Sequence, residues 1–392
     1  MLRERPRHRN AMAKRCRAAA AAIASGLALL CAATAAEARP AHNVILFLGD
    51  AGGLPTLSAA GVYAHDRPLS LFIQSMPHVG LSETSALNHW VTDSAAGMTA
   101  IVTGRKTNSG MNSVLPAADG TGITPVKTIL EYAEQHGLST GVMTNMPIWD
   151  ATPAACYAHV ASRTDKDEIF RQLLAPRYGD GVDILIGKDR AAADAAYAKA
   201  GMTAAQAFTR AGYLYSDDPA ALSRQTRRAA IIRDQDYAPI PTVEAAITSL
   251  SRNRKGYFLM VEWDMHTNDL QGGLRHAVEM DDMIRAVSKK VGKDTLILFV
   301  ADHSYDLKML AGTRDHPFAE QLAMPRGTVG RPAIAADEHG AHTGEEVVAA
   351  AMGPGSERVK GFFPNTWLFK VMMSAFGWTI DREDRRELTS GS

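Results

Sequence analysis

Short, continuous apolar runs recur along the chain, separated by longer stretches in which apolar positions return with helical spacing. Asn43–Gly49, Ser139–Thr144, Asp183–Gly187, Gly256–Val261 and Thr295–Val300 are rich in aliphatic and β-branched residues, and each predicts a strand buried on both faces. Helical periodicity predicts helices near 124–136, 191–211, 241–252, 273–291 and 364–376. Buried strands alternating with helices predict an α/β fold, a large and mostly parallel central β-sheet with helices on both faces. No internal repeat and no linker interrupts it, so residues 39–392 read as a single domain.

The first 38 residues follow a different pattern. Arg3, Arg5, Arg7, Arg9, Lys14, Arg15 and Arg17 form a basic segment, Ala18 to Ala35 an apolar one, and Ala36-Glu37-Ala38 a small-residue cleavage site. Residues 1–38 therefore read as a signal peptide, and the expected location is periplasmic or secreted. Met12 is an alternative start. Cys31 follows Leu29-Leu30 rather than the small residues of a lipoprotein signal, and no later stretch is apolar for the roughly 18 residues that would span a membrane. No membrane anchor is expected.

Charge changes once the leader is set aside. Residues 1–38 contain seven of the 42 Lys and Arg and two of the 42 Asp and Glu, which leaves 35 against 40. A net negative chain is a poor partner for nucleic acid or acidic membranes. Cys16 and Cys31 lie in the leader, so Cys156 alone remains and no internal disulfide is expected.

Acidic residues collect just after the predicted strands: Asp50, Asn145 to Asp150, Glu262, and Asp302-His303. The carboxyl ends of strands border the ligand crevice in open α/β sheets, so these separated groups converge in space. Carboxylates mixed with imidazoles suit zinc, and an all-oxygen set suits magnesium or calcium. Glu262, Asp264 and His266 share one face if they continue a strand, and His342 lies in a small-residue loop before the apolar Val347–Met352 run. In Val91-Thr92-Asp93-Ser94-Ala95-Ala96-Gly97-Met98-Thr99, Ser94 sits where a helix begins, in a field that stabilises an alkoxide or a bound anion. The same residue types also serve as ordinary helix caps.

Taken in order, the Asn43–Asp50 strand and turn, Thr92-Asp93-Ser94-Ala95-Ala96, Asp150-Ala151-Thr152-Pro153-Ala154-Ala155, His159-Val160-Ala161-Ser162-Arg163, Glu262 with its following acid and histidine, Ala301-Asp302-His303, and His342-Thr343-Gly344-Glu345 carry a resemblance. The chain resembles the two-zinc, serine-nucleophile alkaline phosphatases over nearly all its length beyond the leader. That resemblance implies an alkaline-phosphatase-like catalytic domain that hydrolyses phosphate monoesters through a phosphoserine intermediate and releases inorganic phosphate. Ser94 resembles the nucleophile and Arg163 the guanidinium that forks two phosphate oxygens. Asp50, Asp302 and His303 resemble the ligands of one Zn2+, and Asp264, His266 and His342 those of a second. Asp50, Asp150, Thr152 and Glu262 resemble a neighbouring Mg2+ site. A homodimer is implied in the same way.

The chain departs from that family at Glu262–Asp269. Members commonly separate the zinc carboxylate and histidine as i and i+4, whereas Asp264 and His266 are i and i+2, and Asp269 is the alternative carboxylate. The lysine that some bacterial members carry beside this aspartate is replaced by Met265. The polar segment between His303 and His342, with Arg314-Asp315-His316-Pro317 and Gly327 to Pro332, resembles a short version of the excursion that roofs the site, and reads equally as a lid or a surface loop. Competing readings are a phosphodiester or phosphonate hydrolase of the same superfamily, and an exported metal- or phosphate-binding protein without turnover.

Overall fold

The computed structural model describes residues 40–223, 227–310, 312–325, 328, 334–336 and 341–381. The expected signal peptide and most of 327–332 lie outside the described residues. Ten strands form one sheet in the order Gly361–Pro364, His78–Glu83, Val347–Met352, Thr295–Ala301, Asn43–Asp50, Tyr257–Asp264, Ser139–Pro147, Ile184–Lys188, Ala229–Ile232 and Leu214–Ser216. Nine run the same way; Val347–Met352 runs against both of its neighbours. The mostly parallel α/β sheet is thus the one expected.

The period of two along the central strands sorts side chains between two apolar layers. Val44, Leu46 and Leu48 join Phe258, Met260, Leu296 and Leu298 against Met98 and Ile101. Ile45 and Phe47 join Leu259, Val261, Trp263, Ile297 and Phe299 against Met280 and Ile284 on the other face. Asp50, Glu262 and Asp264 continue the even-numbered series, so they emerge at the carboxyl edge on the face that carries helix Ser94–Thr103. Register aligns them: Asp50 lies opposite Asp264, and Leu48 opposite Glu262.

The reversed strand matters for the same edge. Because Val347–Met352 is antiparallel, its amino end lies where its neighbours have their carboxyl ends, and the residues before it enter the same crevice. The excursion leaves and returns through paired ribbons. Ser304 pairs with Thr343 and Tyr305 with His342, and further out Leu307–Met309 pairs with Ile334–Ala336. That pairing sets His342 beside His303.

Two helices differ from the periodic expectation. The one near 124–136 begins only at Ile129, because Ile123–Pro125 pairs with Val114–Pro116 and Thr128 with Glu131 builds a capping box. The one across 191–211 is two, Arg190–Ala198 and Ala204–Arg210, broken where Gly201 takes φ +72° and restarted by the Thr203 cap.

Candidate active site

Helix Ser94–Thr103 is capped by Asp93, whose carboxylate accepts from Ala96 N at 3.1 Å and from Gly110 N at 3.0 Å. Ser94 is consequently the first helical residue and is free of capping duty. The helix approaches the sheet closely at Gly97, where a Cβ would stand 3.1 Å from the Asp302 carbonyl. This approach brings Ser94 Oγ to 3.2 Å from His303 Nε2 and 3.4 Å from Asp50 Oδ1. Ala51 adopts a left-handed φ of 63°, and its N–H donates to Asp302 Oδ1 at 3.3 Å, tying the first strand to the Thr295–Ala301 strand.

Three groups of metal-ligating atoms converge here, each within 4.8 Å: Asp50, Asp302 and His303; Asp50, Asp264 and His266; and His266, His303 and His342. Tautomers follow from the outer partners. His303 Nδ1 contacts the Ser304 carbonyl at 3.0 Å and His342 Nδ1 the Thr92 carbonyl at 3.0 Å. Carbonyl oxygens only accept, so both Nδ1 atoms carry a proton and both Nε2 atoms face the cluster. His342 Nε2 stands 3.5 Å from His266 Nε2, and the His303 and His342 rings stack with centroids 3.7 Å apart. Asp302 Oδ2 is buried without a hydrogen bond, 3.5 Å from His303 Nε2. Converging imidazole nitrogens with an orphaned carboxylate oxygen fit a cation, and the mixed O and N donors fit zinc.

The proton equilibria express the same crowding. Burial and the neighbouring Asp50 charge raise the Asp302 carboxyl to about 6. Burial opposes the charge on His303, yet Asp302 and Asp50 raise its imidazole to about 9. Burial and the His303 charge push His342 down to about 4. Burial works to raise Asp50, but His303 and His266 overcome it and hold that carboxyl far below the usual range.

Asp264 and Asp269 separate cleanly. Asp264 Oδ1 lies 2.6 Å from His266 Nδ1 and belongs to the cluster, whereas Asp269 caps helix Leu270–Lys290 by accepting from Gly272 N at 3.2 Å. Glu262 is buried and receives the hydroxyls of Thr144 and Thr152; burial first, then Asp50, holds its carboxyl well above the usual range. Thr152 follows Asp150, the cap of the short helix Ala151–Ala154. Arg163 is fixed from two sides, Nη1 at 3.2 Å from Asp93 Oδ2 and Nη2 at 2.9 Å from Asp150 Oδ1. Asp93 is a cap that the sequence offers, but its pairing with Arg163 has no sequence signal, because nothing in its local pattern foretells an arginine 70 positions away. His159, unassigned in the sequence, is buried between Glu131 and the Ser113 carbonyl and away from the crevice groups.

The family model described as "Alkaline phosphatase" matches residues 41–190 and 224–324, more than half of the chain. The chain belongs to the alkaline phosphatase family. It is 29% identical to alkaline phosphatase 4 of Bacillus subtilis over 291 residues, covering 67% of this chain and 61% of that protein. It is 28% identical to the alkaline phosphatase of Escherichia fergusonii over 420 residues, covering 86% of each. The fold is similar to the crystal structure of Thermus thermophilus alkaline phosphatase, with TM-score 0.71 at 22% identity, covering 91% of this chain and 96% of that one.

Proposed function

We propose that this alkaline-phosphatase-family chain hydrolyses phosphate monoesters through a phosphoserine on Ser94, as an exported enzyme whose mature form should begin at Arg39 when sequenced from its N-terminus. One observation carries the reading. Asp93 does the capping, so the buried Ser94 hydroxyl is left to face the metal-ligating groups at a helix N-terminus, 3.2 Å from His303 Nε2 and 3.4 Å from Asp50 Oδ1. Asp50, Asp302 and His303 would hold one zinc ion and Asp264, His266 and His342 a second, with Asp50, Asp150, Thr152 and Glu262 holding magnesium. Such ions, when bound, supply positive charge that favours alkoxide and hydroxide near neutral pH.

The chain's own groups do the rest. Ser94 Oγ bonds to phosphorus as the ester oxygen leaves, and water then cleaves the Ser94–phosphate bond and restores the hydroxyl. Helix Ser94–Thr103 directs its positive end at the transferred phosphoryl group. Arg163, fixed by Asp93 and Asp150, offers its remaining N–H donors to two non-bridging oxygens, a fork best matched by a dianionic monoester. Turnover of aryl phosphate mono- and diesters by one purified sample with its metal counted tests this. Monoesters should be preferred by a protein holding about two zinc ions; a diester preference, or metal binding without turnover, would replace the proposal.

A further inference from the structure

We propose that Asn145 and His276 are positioning residues that clamp the main chain of Asp264, allowing a carboxylate and an imidazole only two residues apart to serve one metal ion. The inference rests on the reading that Asp264 and His266 belong to the second metal set.

Main-chain pairing between Ser139–Pro147 and Tyr257–Asp264 ends with Thr144 opposite Glu262. Beyond that point the ladder offers Asp264 N–H no partner on this side. The side chain of Asn145 replaces it, with Oδ1 accepting from Asp264 N at 2.8 Å. On the other flank of the same Cα, the Asp264 carbonyl accepts from His276 Nδ1 at 2.7 Å. Fixing N–H and C=O together fixes the direction of the Cα–Cβ bond, and so the carboxylate. Asp264 Oδ1 then meets His266 Nδ1 at 2.6 Å and His266 N at 3.2 Å.

The contracted spacing makes such a clamp necessary. Ligands at i and i+4 on a helix are held by the helix itself, whereas residues two apart at a frayed strand end depend on outside groups. The following helix supplies one by packing hard against the returning chain. A Cβ at Gly273 would stand 2.4 Å from the His266 carbonyl oxygen and 2.9 Å from that of Met265, so this glycine lets Leu270–Lys290 close in and carry His276 to Asp264. Asn145 and His276 both line a polar cavity of about 250 Å³ with Trp263, Arg275 and Glu279, so truncating either side chain opens onto polar space.

Zinc-loaded His276→Ala, Asn145→Ala and His276→Asn are to be challenged with a chelator of known affinity while metal release is followed. Both alanine variants should give up one of the two ions about ten-fold or more readily than the parent, the range for groups that orient metal ligands. His276→Asn places an N–H donor near the lost Nδ1 and should recover most of that retention. Chelated forms of parent and variants should melt together; if one alanine variant fails to fold, the other tests the clamp from the opposite flank. Parent-like retention in both alanine variants, or no rescue by asparagine, overturns the clamp while leaving the phosphatase reading intact. A parent that takes up no metal overturns both.

Discussion

The sheet buries carboxylates at both of its edges, and the two clusters differ in what surrounds them. At the amino edge Glu134 and Asp183 meet proton donors: Thr140 Oγ1 donates to Glu134, Gly181 N to Glu134 at 3.3 Å and Thr140 N to Asp183 at 3.1 Å, with Arg227 Nε 3.7 Å from Asp183. At the carboxyl edge Asp50, Asp264 and Asp302 crowd against three imidazoles: His303 and His342 spend their Nδ1–H groups on carbonyls, and His266 turns its Nδ1 to Asp264. Backbone and hydroxyl donors meet the amino-edge acids, and Asp183 Oδ1, which has no hydrogen bond, has the Arg227 guanidinium 3.7 Å away. At the other edge three acids and three imidazoles share one cluster, the arrangement that fits a metal ion. Buried carboxylates alone therefore mark no site; the protons around them decide.

The largest effects should come from removing that inward set. His303→Ala and His342→Ala should each lower bound metal and reduce monoester turnover by more than about 100-fold, read by elemental analysis and kinetics on the same samples. Unchanged metal in both variants would put the two edges on equal footing. Arg163→Ala should cost about ten-fold or more on monoesters, since charge-assisted hydrogen bonds contribute roughly 1.5–3 kcal/mol, and far less on diesters. Equal losses on both substrates would make the guanidinium a strut between Asp93 and Asp150.

The smallest effect belongs to the amino edge. Burial, aided by Asp183, raises Glu134 to about 7 against 4.5 for a free carboxyl, with the Thr140 hydrogen bond opposing. The folded state thus binds more protons than the unfolded one between these values, and stability falls as pH rises from about 4.5 to about 7. Glu134→Gln should remove that slope, raising the melting temperature at pH 8 relative to pH 5 by a few degrees with turnover intact. An unchanged slope, or a loss of activity, would show that this edge is not the hydrogen-bonded, structural one.

Much of this was legible from residues alone. The central strands announced themselves because burial on both faces leaves few polar positions in them, and the acids that follow them fall on one edge by topology. The outlying strands His78–Glu83 and Gly361–Pro364 gave no such run, since both are partly exposed. The boundaries of helices Ile129–His136 and Ala204–Arg210 did carry signals, Thr128 with Glu131 and Gly201 before Thr203, which the broader apolar periodicity masked. Spacing left Asp264 and Asp269 as alternatives; only three dimensions place Asp264 beside His266 and commit Asp269 to a helix cap. His276 left no trace because it acts on the backbone carbonyl of another element, which no side-chain pattern encodes.

The central claim is that the hydroxyl of Ser94, free of capping duty, attacks phosphorus. Incubating the protein with labelled inorganic phosphate at low pH, quenching and mapping by mass spectrometry should place a single label on Ser94. Ser94→Ala should hold its metal, take no label and lose turnover by on the order of a thousand-fold or more. A label on Thr92 or Thr99, or normal turnover by the unlabelled alanine variant, would contradict the account.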